Sequence, residues 1–108
     1  MGGGPSEAPQ GSSARRSRAT CPLCGESALI LDWRPSVAWA SIEDCRCDAF
    51  FVWTVLLDRG RLDGLAPDDS ARLRSRILEL RALEREAWLY TADGTPQGPL
   101  VVRTERSE

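Results

Sequence analysis

The sequence predicts an α+β fold: a three-stranded antiparallel sheet, one amphipathic helix, and a C-terminal β-hairpin or pair of edge strands. Three observations support this prediction. Three short apolar runs rich in aromatic and β-branched residues are separated by turn or polar residues, as is typical of strands. One later segment places apolar residues at spacings of three and four, which indicates an amphipathic helix. Two further apolar runs, separated by a loop containing Gly and Pro, end the chain.

The N-terminal segment, residues 1–19, is predicted to be a disordered tail. It is rich in Gly, Pro and Ser, and it has no side chains that would offset the conformational entropy lost on folding. No apolar run precedes Cys21, and no run in the chain is long enough to cross a bilayer. We therefore expect no secretory signal, no membrane span and a cytoplasmic location, with residues 20–108 forming a single domain.

The three predicted strands occupy residues 28–33, 37–42 and 50–57. A turn at residues 34–36, which contains Pro35, separates the first two strands. Alternation of apolar and polar residues is poor in all three runs, so the period alone does not distinguish strand from helix. The short length of each run and the flanking turns favour strands.

The helix is predicted at residues 67–86, after a connector at residues 58–64. Pro67 suits the first helical position, and Asp68 and Asp69 follow in the first turn, where negative charge is favourable. Leu73, Ile77 and Leu80 form an apolar stripe that we expect to pack on the sheet. The C-terminal strands are predicted within residues 88–103.

Four cysteines occur in two close pairs, Cys21-x-x-Cys24 and Cys45-x-Cys47, with twenty residues between the pairs. A hairpin of that length would bring the four sulfurs together. Zn–S bonds of ~2.3 Å in a tetrahedron place neighbouring sulfurs ~3.8 Å apart, which a tight turn such as Cys-x-x-Cys achieves. Gly25 supplies a backbone free to adopt positive φ after Cys24. Because the chain has no His, the pattern predicts one structural Zn²⁺ ion bound by thiolates.

Other interpretations of the cysteines remain open at this point. Asp44 or Asp48 could replace Cys47 as the fourth ligand, because Cys45 and Cys47 are separated by only one residue. Iron–sulfur ligation also uses four cysteines. Disulfides are disfavoured because no signal indicates an oxidising compartment. A redox pair at Cys21 and Cys24 is disfavoured because no strand is predicted before it.

The run Cys21-Pro22-Leu23-Cys24-Gly25 resembles the first knuckle of a zinc ribbon. In that family, two knuckles at the ends of a β-hairpin bind one zinc ion. The resemblance implies that Cys21, Cys24, Cys45 and Cys47 are the ligands. The second knuckle departs from the pattern because it is one residue shorter and has Asp48 where glycine is common. More loosely, residues 21–86 are similar to small zinc-ribbon modules of uncharacterised bacterial proteins, which implies no assigned activity.

A closed shell of four thiolates and the lack of His argue against catalysis, so we expect no enzyme and no small-molecule substrate. We instead expect a non-catalytic interaction or adaptor module with an unknown protein partner. The sequence has four tryptophans, and large aromatic and Arg side chains commonly anchor interfaces. The candidate partner-binding residues are Trp39, Trp53, Arg34 and Arg46.

The alternative is a nucleic-acid-binding zinc ribbon, such as an accessory protein in transcription or defence. It would use an arginine-rich arm at residues 15–18, together with Arg34 or Arg46 and an aromatic stacking platform. The net charge argues against this alternative. The chain carries fourteen arginines against sixteen acids, for a formal charge of −2, and within it the tail alone has three arginines against one acid. An acidic folded part disfavours a broad phosphate-binding face.

Overall fold

Six strands form one sheet in the order in which they occur along the chain. The structure, a computed structural model, describes residues 16–33 and 37–105. Its elements are β1 (Arg16–Thr20), β2 (Ser27–Leu31), β3 (Trp39–Cys45), β4 (Asp48–Trp53), α1 (Thr54–Asp58), α2 (Pro67–Ala82), β5 (Trp88–Thr91) and β6 (Leu100–Arg103). Among these residues, no helix has the length and apolar character needed to cross a bilayer.

The sheet is mixed, because one of its five strand pairings is parallel. Strands β1 to β4 form an antiparallel meander, and β5 and β6 form a hairpin. Helices α1 and α2 lie between β4 and β5 in the chain, so the chain returns to pair β5 parallel to β4, with Phe51 beside Trp88. The predicted three-stranded zinc ribbon is therefore wrong, although α+β describes the content broadly. A two-stranded hairpin is marginally stable alone, which favours the addition of β5 and β6 to the larger sheet.

Strand β1 is the second departure from the predicted sheet. Its five residues are paired antiparallel to β2, from Arg16 beside Leu31 to Thr20 beside Ser27. The first four of them, residues 16–19, lie in the segment predicted to be disordered, and the rest of that segment lies outside the described residues. Backbone hydrogen bonds to β2 hold β1 in the sheet although β1 has no large apolar side chains. The amino-acid composition of a segment does not reveal such pairing.

The third predicted strand is divided between two elements. Strand β4 ends at Trp53, and α1 begins at Thr54, within the run predicted as strand 50–57. The hydroxyl of Thr54 donates a hydrogen bond to the carbonyl of Val37 at 2.8 Å, and its backbone N–H donates to Ala38 at 2.9 Å. These bonds end the β ladder and turn the chain into the core, where Leu56 is fully buried.

The two sheet faces differ in their covering. On one face, α1 and α2 bury an apolar core, and α2 contributes Leu73, Ile77 and Leu80 as its spacing predicts. The sheet contributes alternate residues to this core, which include Ala28, Ile30, Ala40, Ile42, Phe50, Val52, Leu89 and Val102. The intervening residues point to the opposite face, which we call the open face because neither described helix covers it.

Helix α2 ends at Ala82 rather than at the predicted residue 86. The N–H of Arg85 donates to the carbonyl of Leu80 at 2.9 Å, and the N–H of Glu84 donates to Arg81 at 2.9 Å. This is the bond pattern of a Schellman motif, in which the residue after the C-cap adopts a left-handed conformation. Glu84 occupies that position with φ of 60°.

Glu84→Gly is expected to raise the free energy of unfolding by about 0.5–1 kcal/mol, because glycine has no Cβ to penalise positive φ. Urea denaturation of the metal-loaded protein measures the change. Glu84→Ala is the matched control and should give no such gain, since alanine keeps the Cβ while removing the charge. An equal gain from both variants would assign the effect to charge rather than to backbone conformation.

Candidate metal centre

The two cysteine pairs lie at the same end of the sheet. Cys21 and Cys24 belong to the turn between β1 and β2, and Cys45 and Cys47 belong to the turn between β3 and β4. Strands β2 and β3 are antiparallel neighbours, so the start of β2 lies beside the end of β3. The four Sγ atoms all lie within 4.8 Å of one another, and those of Cys21 and Cys47 are 3.9 Å apart.

The first turn is held by backbone bonds. The N–H of Cys21 donates to the carbonyl of Glu26 at 2.8 Å, and the N–H of Gly25 donates to Cys21 at 2.9 Å. Gly25 has φ of 76°, the conformation predicted for it from the sequence. Leu23, between the two cysteines, is buried, and the hydroxyl of Ser70 in the first part of α2 donates to its carbonyl at 3.2 Å. The cysteine turn therefore contacts the main helix directly.

The turn between β3 and β4 brings its two cysteines into the same sulfur cluster with a different backbone geometry. The β3–β4 register shifts between Glu43 and Cys45, and Cys45 pairs with Asp48 to close a tight turn. Asp44 and Asp48 have φ of 65° and 70°. Aspartate tolerates this left-handed region better than most residues. The irregular pairing and the two left-handed residues bring Cys47 inward although the pair has only one intervening residue.

The structure places Cys47, and neither aspartate, in the sulfur cluster. Cys47 is fully buried, at 0% exposure. The carboxylate of Asp44 instead accepts a bond from Arg18 at 2.8 Å, and that of Asp48 lies 3.5 Å from Arg81. The group of potential metal ligands found within the described residues consists of the four cysteines alone. This arrangement favours Cys47 over either carboxylate as the fourth ligand.

Burial and mutual contacts shift the pKa values of three thiols in the cluster. A hydrogen bond with Cys47 lowers the pKa of Cys21 to about 5, although burial acts to raise it. The same bond and burial raise the pKa of Cys47 far above that of a free thiol. Burial raises the pKa of Cys45 to about 12. Four thiolates this close repel one another, and a divalent cation at their centre would offset that repulsion.

The sulfur positions fit one tetrahedral ion. Tetrahedral Zn–S₄ geometry needs sulfurs ~3.8 Å apart; Cys21 and Cys47 have Sγ atoms 3.9 Å apart, and no sulfur pair in the cluster is separated by more than 4.8 Å. Cys21 and Cys47 are buried, whereas Cys24 and Cys45 are half-buried. Four protein ligands complete such a coordination shell, and a closed shell of this kind is the mark of structural rather than catalytic zinc sites.

Among the described residues, the predicted partner-binding residues lie in two places. Trp39 and Trp53 face each other across β3 and β4, and both are half-buried. Arg46 lies at the cysteine turn and forms an ion pair with Glu26 at 3.2 Å, with both side chains exposed. Arg34 lies outside the described residues. Partner binding by these four residues stays a prediction.

The open face carries an aromatic cluster that the sequence analysis did not identify. Phe51 stacks on Trp88 with ring centroids 4.1 Å apart. Trp39 contacts Trp88 edge-on at 5.1 Å and Tyr90 at 5.8 Å. The guanidinium of Arg103 lies 5.9 Å from the Tyr90 ring centroid. Alternate positions in β3, β4 and β5 place these residues on one face, and that period-two spacing is the signal that could have revealed them.

Ring–ring contacts within this cluster occupy surfaces that a nucleic-acid platform would offer to bases. Trp88 stacks against Phe51 and forms a T-shaped contact with Trp39. The face of Trp88 that stacks on Phe51 is therefore not available to a base, and the nucleic-acid alternative stays a prediction.

Comparison of the chain with protein-family models, curated proteins and solved structures finds no significant match. The zinc-ribbon resemblance thus depends on the first cysteine turn and on the convergence of the four sulfurs.

Proposed function

We propose that this protein is a non-catalytic interaction module whose fold is stabilised by one structural zinc ion bound to Cys21, Cys24, Cys45 and Cys47. The observation that carries the proposal is the convergence of four sulfurs, from two separate turns, within 4.8 Å. A disulfide would need sulfurs only in pairs and gives no reason for all four to meet at one point. Zinc suits an all-thiolate tetrahedral site with no open position.

The interaction part of the proposal is supported by the open face. Its centre contains the half-buried aromatic residues Trp39, Phe51 and Trp88, and Tyr90 adjoins them. Arg103 and Glu43 lie on the same face by alternation along their strands. Protein interfaces are enriched in aromatic residues and Arg at their centres, with polar residues around them.

Metal analysis of the purified full-length protein tests the metal site. We expect one zinc per chain, retained through gel filtration, and a sharp loss of zinc in Cys47→Ser. Asp48→Asn is the matched control and should keep one zinc, because the Asp48 carboxylate contacts Arg81 rather than the sulfurs. Iron with sulfide in anaerobically prepared protein, or full zinc retention by Cys47→Ser, would contradict the proposed site.

A further inference from the structure

We propose that a cavity lined by β3, β4, the last turn of α2 and the segment just before β5 binds the guanidinium or ammonium group of an Arg or Lys side chain presented by a partner protein. This inference rests on the proposed interaction function and names the chemistry of the partner. The cavity has a volume of about 210 Å³, and its walls include Glu43, Phe51, Arg81 and Glu86, with Ala49 between them.

The cavity exists because a small residue lies between two larger ones. Glu43 of β3 pairs with Ala49 of β4. Phe51 pairs with Trp88 in the parallel ladder, and Glu86, two residues before Trp88, lines the same cavity as Ala49. Side chains two apart in a strand share a face. The two carboxylates therefore flank a position where the methyl group of Ala49 leaves space.

The charge of this site favours a cation. Glu86 has no ion-pair partner among the described residues, and the Glu43 carboxylate accepts a hydrogen bond from a neutral group, the Ser41 hydroxyl, at 3.2 Å. Arg81 lines the cavity, but its Nε lies 3.5 Å from Asp48, and its Nη1 donates to the carbonyl of Arg85 at 3.2 Å. Glu43, Glu86, Asp48 and Arg81 together carry a net charge of −2, which favours a basic ligand group.

The aromatic wall adds a second reason to expect a cation. Phe51 lines the cavity and is fixed by stacking on Trp88 at 4.1 Å. An aromatic ring attracts a guanidinium or ammonium group through its quadrupole, and arginine also packs flat on rings. The two carboxylates and the fixed ring thus match the planar, charged end of an arginine side chain especially well.

A basic protein segment fits this surface better than an anionic ligand would. Phosphate or a nucleic-acid backbone would be repelled by Glu43 and Glu86, and residues 16–33 and 37–105 provide no compensating cation at the cavity beyond Arg81. The apolar aromatic cluster beside the cavity can cover the aliphatic part of the partner, because interfaces pair an apolar centre with charged contacts at its rim.

The test is an NMR titration of the full-length, zinc-loaded protein with the blocked tripeptide Gly-Arg-Gly. We expect fast-exchange shifts at the Ala49 and Phe51 amides and at the Trp88 indole. A peptide with citrulline in place of arginine keeps the shape and removes the charge, and it should bind at least about fivefold more weakly. Equal binding of the citrulline peptide, or tighter binding of a peptide with glutamate at that position, would overturn the proposal.

Variants of the protein test which side chains of the cavity bind the arginine peptide. Glu43→Gln and Glu86→Gln should each weaken arginine-peptide binding by about fivefold, and Ala49→Leu should abolish it by filling the cavity. Glu79→Gln, on the exposed side of α2 where Glu79 pairs with Arg76, is the matched control and should leave binding unchanged. Unchanged binding by both Glu43→Gln and Glu86→Gln would overturn the proposal even if Ala49→Leu failed to fold.

Zinc content measured on the same samples separates this inference from the proposed metal site. Zinc with no peptide binding would reject the cavity alone, and peptide binding without zinc would reject the metal site alone.

Discussion

Removal of the metal with a strong chelator is expected to unfold at least the part of the chain from Cys21 to Leu57. Structural zinc contributes an apparent ~10–16 kcal/mol that counts as folding free energy. A small domain has a total stability of only about 5–15 kcal/mol, so this loss is comparable to the whole. Circular dichroism melting curves with and without the chelator measure the effect. An unchanged melting curve would contradict the proposed role of the metal.

The contact between the first cysteine turn and α2 predicts a second effect of metal removal. Because the Ser70 hydroxyl of α2 bonds to the carbonyl of Leu23, loosening of the turn should also reduce the helical signal. Cys47→Ser should reproduce the chelated state and show no further change when chelator is added. Ser70→Ala is the control: it should keep its zinc and lose only about 1 kcal/mol, the typical contribution of one hydrogen bond.

Phe50→Ala is expected to lower the free energy of unfolding by about 3–5 kcal/mol, the usual cost of emptying a buried aromatic site. Phe50 is 2% exposed and belongs to the core that α2 covers. Its neighbour Phe51 points to the open face, where it is half-buried against Trp88. Phe51→Ala should therefore cost clearly less, although it loses a ring-stacking contact.

Urea denaturation of both variants, with zinc present, makes this comparison. Zinc content should stay at one per chain in both, because neither residue belongs to the group of candidate ligands. Equal losses of stability for the two variants would contradict the assignment of a covered face and an open face to the sheet.

The cysteine cluster and the main helix were predictable because their signals are local. Cys-x-x-Cys followed by Gly25 specifies a turn through spacing and backbone freedom alone. The stripe of Leu73, Ile77 and Leu80 reflects helical period, and all three residues are buried. Only the end of the helix was wrong, because Glu84 adopts a left-handed conformation that usually requires glycine.

The sheet was not predictable from the same signals because strand pairing is not local. β1 has no large apolar side chains, and its ladder with β2 becomes visible only when both strands are in place. The parallel pairing of Phe51 with Trp88 depends on the path of two helices between them. The same long-range pairing creates the cavity beside Ala49, so the sequence alone gave no indication of it.

X-ray absorption at the zinc edge tests the central claim most directly. For the full-length protein, we expect a single shell of four sulfur atoms at about 2.3 Å. Cys47→Ser should replace one sulfur with a lighter ligand if it retains any zinc. A wild-type shell that contains oxygen at about 2.0–2.2 Å, as a bound carboxylate would give, would contradict the four-cysteine site.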